Sequence, residues 1–261
     1  MSIQFSGGPI VSTTFSGSPA SDARDAINAA LVAAGWSSAV VAGGFDCTSA
    51  TTPQGITVVA QLRSPANFQV GLATVGASFV GQPSDIISAA VPYQIICNPY
   101  QLAIFRPGLV GDDSGSRFEF LGGAPFIPAF LTGITEAFFS VGVFRSSLAP
   151  TVGIWASSIW NALTGTGAGV GQPRLVWPVG TKQDSTSSII TSWYDGSRVT
   201  CDPLIGYGDN QATALRARGV MWDAAIILGS YTLDLTDTFE GHDWQNMTNS
   251  AAAGSLWLAT S

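Results

Sequence analysis

The sequence predicts a mainly β protein with one N-terminal amphipathic helix, an α+β chain whose strands pair antiparallel in β-sandwich-like lobes. Three observations predict this. One segment alone is clearly helical in period and caps. After Gly35 the chain becomes short β-branched or aromatic runs cut by Gly, Pro, Asn and Asp. The connections between neighbouring runs are too short for parallel crossovers.

The helix is "SPASDARDAINAALVAAGW". Ser18 can cap it with Pro19 at the first helical position, or Ser21 can cap it one turn later, and Asp22 and Asp25 suit the positive end of the helix dipole. Ala20, Ala23, Ile27, Ala30, Leu31 and Ala34 form an apolar stripe. Gly35 fits the left-handed position after the helix, with Trp36 folding back onto Leu31.

The strands follow in order. "TTPQGITVVAQLRS" is a turn at Pro53 to Gly55 leading into a strand with Ile56, Val58 and Ala60 on one face. "YQIICNPYQLAIFRPG" is two strands around an Asn98-Pro99 turn, and "RFEFLGG" is a short alternating strand. "TEAFFSVGVFR" and "RLVWPVG" are candidate strands, and "GTGAGVGQP" at 165–173 is a flexible glycine-rich loop. "SIITSWYDGSRVTCDPL" has Asp195-Gly196 as a favoured type I′ pair. "NQATALRARGVMWDAAIIL" fits either a second helix, weakened by Gly219, or two short strands. "GSLWLATS" closes the chain as a strand. The Gly, Ser and Asp cluster at 107–116 divides a helix-plus-β lobe at 1–110 from a β-rich lobe at 111–261, packed as one compact body.

Composition narrows the function. A chain of 261 residues can bury a full core, yet 10% of it is charged, against about 25% for an ordinary domain. Between Arg145 and Arg174 there is no charge at all. Such a surface is either shielded by neighbouring copies or a hydroxyl- and glycine-rich β exterior. The net charge of −7, the sole lysine at Lys182 and the scattered arginines speak against nucleic acid as a partner. No apolar run suits a membrane span. "MSIQFSGG" lacks a basic and an apolar region, so folding in the cytoplasm of the producing cell is expected. Cys47, Cys97 and Cys201 have no metal or redox spacing and are expected as buried thiols.

Candidate chemistry is sparse. His242, the single histidine, lies in "TFEGHDWQNMTN" beside Glu240 and Asp243. A hydrolase triad would have to use it, but no nucleophile elbow is present. The acidic run from Asp234 and Asp237 to Glu240 and Asp243 could hold a cation, although its spacing is not that of a calcium-binding EF-hand loop; such runs usually fix turns. Glu119, Glu136, Glu240, Asp195 and Asp223 are formal candidates for a glycosidase pair. Trp193, Trp222 and Trp244 stand near polar residues as sugar-stacking candidates, set against the ordinary core role of tryptophan. No catalytic residue, metal ligand or cofactor is expected. For His242 the expected role is to fix a turn, with Gly241 making the bend, Glu240, Asp243 and Asn246 satisfying backbone amides, and Phe239 and Trp244 anchoring its ends.

Several segments resemble virion structural proteins of tailed bacteriophages: "ALVAAGW" followed by "SATTPQG", then "NPYQLAIF", "GGAPFIPAFLTGIT", "WYDGSRVTCDPLIGYG", "RARGVMWDA", "GHDWQNMT" and "GSLWL". The resemblance spans nearly the whole chain and implies a particle component that meets copies of itself and other virion proteins, with no catalytic residues to carry over. Its expected location is the virion, after synthesis in the host cytoplasm. The N-terminal segment "MSIQFSGGPIVSTTFSGSP" is expected to act as an anchoring arm if it reaches a neighbour. A carbohydrate-binding β module that meets a host-surface glycan, and a glycan hydrolase, are the alternatives.

Overall fold

The computed structural model describes residues 3–16, 20–63, 69–74, 92–105, 118–124, 126–127, 139–141, 172–176, 199–201, 204–208, 216–228, 236–246 and 255–261. The first half runs β1 (Val11–Ser16), α1 (Ala20–Ala33), β2 (Ser37–Val41), β3 (Gly44–Thr48), β4 (Val58–Arg63), β5 (Gln69–Thr74), β6 (Pro92–Asn98), β7 (Gln101–Phe105), β8 (Phe118–Gly123) and β9 (Phe139–Val141). The second runs β10 (Gln172–Val176), β11 (Val199–Cys201), β12 (Leu204–Gly208), β13 (Arg216–Val220), β14 (Ala224–Leu228), β15 (Thr236–Phe239), β16 (His242–Asn246) and β17 (Ser255–Ala259). The protein is mostly β, with one helix among the described residues, and its strand pairs there are antiparallel.

Among the described residues the strands form four sheets, with orders β1-β6-β7-β8-β9, β2-β3-β4-β5, β10-β12-β13 and β11-β14-β17-β16-β15. The first joins strands from both sides of residues 106–117. A bridge between Phe126 and Val220 ties the middle of the chain to β13.

Helix α1 packs on β1 and β6 and also meets β2, β3 and β4. Its expected stripe is its buried face: Ala23, Ile27, Leu31 and Ala34 are wholly buried and Ala30 nearly so. Burial of Ile27 and Leu31 contributes about 1.5–3 kcal/mol each. The C-terminus closes as expected, with Gly35 at φ 96°. Trp36 N–H donates to Leu31 O at 2.9 Å and Gly35 N–H to Val32 O at 3.0 Å, the paired bonds of a Schellman motif. Ser21 lies inside the helix rather than at its cap, because the helix already includes Ala20; Ser18 and Pro19 fall outside the described residues.

The turn at Pro53 to Gly55 also forms. Gly55 has φ 80°, Thr52 N–H donates to Ile56 O, and Thr52 Oγ1 accepts from Ile56 N–H. Ile56, Val58, Ala60 and Leu62 are then buried at alternate positions, the period of a strand with one face inward.

Residues 216–228, open between helix and strands in the sequence, are β13 and β14. Each has an antiparallel partner, β12 and β17, so sheet pairing outweighs the helical spacing of Ala214, Leu215, Met221, Trp222 and Ala225. Gln172 and Pro173 belong to β10 instead of ending a loop. Pro173 is tolerated because β10 is an edge strand. The Asp195-Gly196 turn lies outside the described residues.

In the last sheet, Ala225, Trp244, Trp257 and Ala259 form a buried cluster. Ile3 and Ile10 pack against it. The N-terminal segment therefore lies on the C-terminal sheet of its own chain before β1 pairs with β6. Among the described residues, no helix is long and apolar enough to cross a membrane.

Candidate functional site

The histidine region is a β-hairpin, and His242 is the first residue of its second strand, paired with Phe239. The bend consists of Glu240 at φ 51° and Gly241 at φ 79°. Positive φ at both central residues is the requirement of a type I′ turn, whose twist matches that of the strands. Glu240 occupies a left-handed conformation that glycine or asparagine adopts more cheaply.

The ring of His242 stacks on Phe5 with centroids 4.4 Å apart, and Nδ1 lies 2.6 Å from Ser261 O. Asp243, not Glu240, carries the local polar contacts. Its Oδ1 accepts from Thr238 Oγ1–H at 2.8 Å, its N–H donates to Ser261 Oγ, and its carbonyl accepts from Thr260 N–H at 2.7 Å. These contacts hold the hairpin to residues 260–261. Among the described residues no group of three or more His, Cys, Asp or Glu could hold a metal ion; Asp234 lies outside them.

The tryptophan candidates separate. Trp222 is 4% exposed, between Tyr100 at 4.7 Å and Phe126 at 5.1 Å, and its Nε1–H donates to Ala124 O. Trp244 is fully buried, stacks on Phe239 at 4.5 Å, and donates to Phe239 O. The sugar-stacking reading is corrected for both: their faces meet protein rings and their N–H groups are already bonded, so they are core residues. Trp193 lies outside the described residues.

Of the carboxylates, Glu240 is exposed at the hairpin tip and Asp223 is buried, while Glu119 is in β8 and Glu136 and Asp195 lie outside the described residues. Cys47 and Cys97 are buried free thiols, and burial pushes Cys97 up to about 12, far from a reactive thiolate. The side chain of Cys201 is outside the described set.

A polar cluster lies where the turn between β6 and β7 meets the turn between β13 and β14. Pro99 has no N–H, and the preceding Asn98 satisfies the next two: Asn98 Oδ1 accepts from Tyr100 N–H and Gln101 N–H, both at 2.8 Å. The Asn98 carbonyl accepts from Trp36 Nε1–H at 2.8 Å, and Pro99 O accepts from Ala50 N–H. Turned so that both ends are satisfied, the Gln101 amide donates to Trp222 O at 2.8 Å and accepts from Trp222 N–H at 2.9 Å. A side chain here imitates a strand partner.

Asp223 completes this junction at φ 46°, a conformation aspartate tolerates better than most residues. Its N–H donates to Gln4 O, its carbonyl accepts from Ala259 N–H, and Oδ1 accepts from Ser6 N–H at 2.9 Å. The N-terminal segment, the β6–β7 turn, the β13–β14 turn and the final strand are thus fastened at one place. Gly123 lies against it: a Cβ there would fall 2.2 Å from Tyr100 O, so only glycine admits this approach of two strands.

The sequence marked Asn98 as a turn and Asp223 as one carboxylate among several, and it missed Ser6 and Gln101. A signal existed for Asn98 alone, the Asn-Pro turn. Chemically the junction bonds backbone groups and offers no exposed nucleophile, since Asp223 is 3% exposed. No family model, curated protein or solved structure matches this chain.

Proposed function

We propose that the chain is a non-enzymatic structural component of a tailed-bacteriophage particle, placed in tail, neck or baseplate rather than shell. It joins copies of itself and other virion proteins through large surfaces of low charge. The observation that carries this reading is where the resembling segments fall. "ALVAAGW" ends α1, "NPYQLAIF" is the turn and strand β7, "RARGVMWDA" spans β13 and its turn, and "GHDWQNMT" and "GSLWL" lead through β16 and β17. They build the scaffold and its junction, as expected of a particle component.

Two features support the assembly role. Charged residues are 10% of the chain, and β2 is an exposed edge strand of uncharged residues with Val40 at 83% exposure, the kind of edge that accepts another strand. The arrangement of the sheets as sandwich-like lobes, 1–110 and 111–261, in one compact body belongs to the same proposal, with β7 and β8 paired across the division.

Sedimentation of the purified chain, together with mass spectrometry of purified particles, tests it. A multimer in solution and peptides of this chain in the particle are expected. A monomer absent from particles would contradict it, and glycan-array binding lost on Trp193→Ala would favour the carbohydrate-binding alternative.

A further inference from the structure

The junction leaves one polar atom unaccounted for. Asp223 Oδ1 holds Ser6 N–H, but Oδ2 is buried with no hydrogen-bond partner among the described residues. At 3% exposure bulk solvent does not reach it, and a buried carboxylate oxygen without a donor is strongly unfavourable.

Asp223, Asn98, Gln101 and Trp222, together with apolar residues including Ile10 and Ala103, line a cavity of about 10 Å³. That is about the least volume that admits one water molecule. A phosphate, a sugar or any organic ligand is far too large.

The wall also supplies a donor. Asn98 Oδ1 is engaged by two backbone N–H groups. Its Nδ2 lies 3.4 Å from the Gln101 amide atom that points at Trp222 O. Because that atom must be the NH2 group to bond Trp222 O, it offers Asn98 Nδ2 no lone pair. Asn98 Nδ2 is left as a donor and Asp223 Oδ2 as an acceptor, and both residues line the same cavity.

We propose that this cavity is a binding site for a single internal water molecule, which accepts a hydrogen bond from Asn98 Nδ2 and donates one to Asp223 Oδ2. Water suits the pair because it donates and accepts at once. A metal cation would need a shell of oxygen ligands, and the hydrogens of the Asn98 amide would repel it. The bound water becomes part of the fastening among the N-terminal segment, the β6–β7 turn and the β13–β14 turn.

A high-resolution crystal structure of the full chain tests the site. The expected result is one density peak within about 3.2 Å of both Asp223 Oδ2 and Asn98 Nδ2. An empty cavity with Asn98 Nδ2 donating directly to Asp223 Oδ2 would overturn the proposal, as would a peak with the short, many-oxygen surroundings of a cation. In solution, water oxygen-17 relaxation dispersion gives a second readout. Folded Ala103→Val, which fills the cavity, should lose the contribution of one long-lived water, and Asp223→Asn, which keeps the shape and a polar partner, should retain it. Unchanged dispersion in folded Ala103→Val would count against the site.

Discussion

Two chain reversals, Asn98 to Gln101 and Phe239 to His242, solve the same problem by opposite means. At the first, buried polar groups are satisfied by residues far away in sequence, from Trp36 to Trp222. At the second, an exposed Glu240-Gly241 bend relies on its own dihedral angles and on neighbours such as Thr238 and Asp243. A buried reversal is bound to the rest of the fold, whereas the bend of an exposed one is set locally even where its flank docks, as His242 does on Phe5 and Ser261. Substitution at the first should therefore disturb the whole molecule, and at the second only a hairpin.

The largest effect expected is for Trp222→Ala, which removes the ring between Tyr100 and Phe126 and leaves Ala124 O without its donor. It should cost about 4 kcal/mol, read as a lowered urea midpoint. Asn98→Ala comes next, at about 3 kcal/mol, because the N–H groups of Tyr100 and Gln101 lose their acceptor. If either variant unfolds at the same midpoint as the parent, the buried junction is not what holds the fold together.

At the exposed reversal the effects are smaller and one has the opposite sign. Glu240→Asn should stabilise by about 1 kcal/mol, since asparagine tolerates the left-handed conformation. His242→Ala should cost about 1 kcal/mol or less through loss of the Phe5 stack and the bond to Ser261 O. A cost for His242→Ala as large as that for Asn98→Ala would erase the contrast.

A further prediction sharpens the comparison through pH. Burial lifts the Asp223 carboxyl above its ordinary 3.8, opposed by the Ser6 hydrogen bonds, the nearby Asn98 amide and the charge of His242. The folded protein then holds the Asp223 proton to a higher pH than the unfolded chain does. Between the ordinary and the raised value the native state binds more protons, so this group's contribution to stability falls as pH rises through that window and is level above it. Asp223→Asn should lack that fall. The difference in unfolding free energy, parent minus variant, should descend from pH 3.8 upward; an ascending difference would mean the folded site favours the carboxylate.

What the sequence revealed follows the range of the forces involved. Helix α1, its Gly35 closure, the Pro53 to Gly55 turn and the Asn98-Pro99 reversal were legible because each is decided within a few residues. The choice between helix and strands at 216–228 was not, because β12 and β17 decide it from elsewhere in the chain. The hairpin at His242 was half legible: Gly241 announced a bend, but glutamate is not a residue that signals a type I′ turn. The junction was hidden because its bonds are non-local, with Ser6 and Asp223 separated by 217 positions. Trp222 and Trp244 were ambiguous for a similar reason, since the rings that cover Trp222 come from Tyr100 and Phe126.

The central claim is that the polar cluster of Asn98, Gln101 and Asp223 is a structural fastening. Native-state hydrogen exchange of the intact chain tests it most directly. The amides of Gln101, Trp222 and Asp223 should exchange only through global unfolding, with protection free energies equal to the unfolding free energy, while Thr238 and Asp243 exchange through cheaper local opening. Junction amides that exchange as fast as those of the hairpin would contradict the claim.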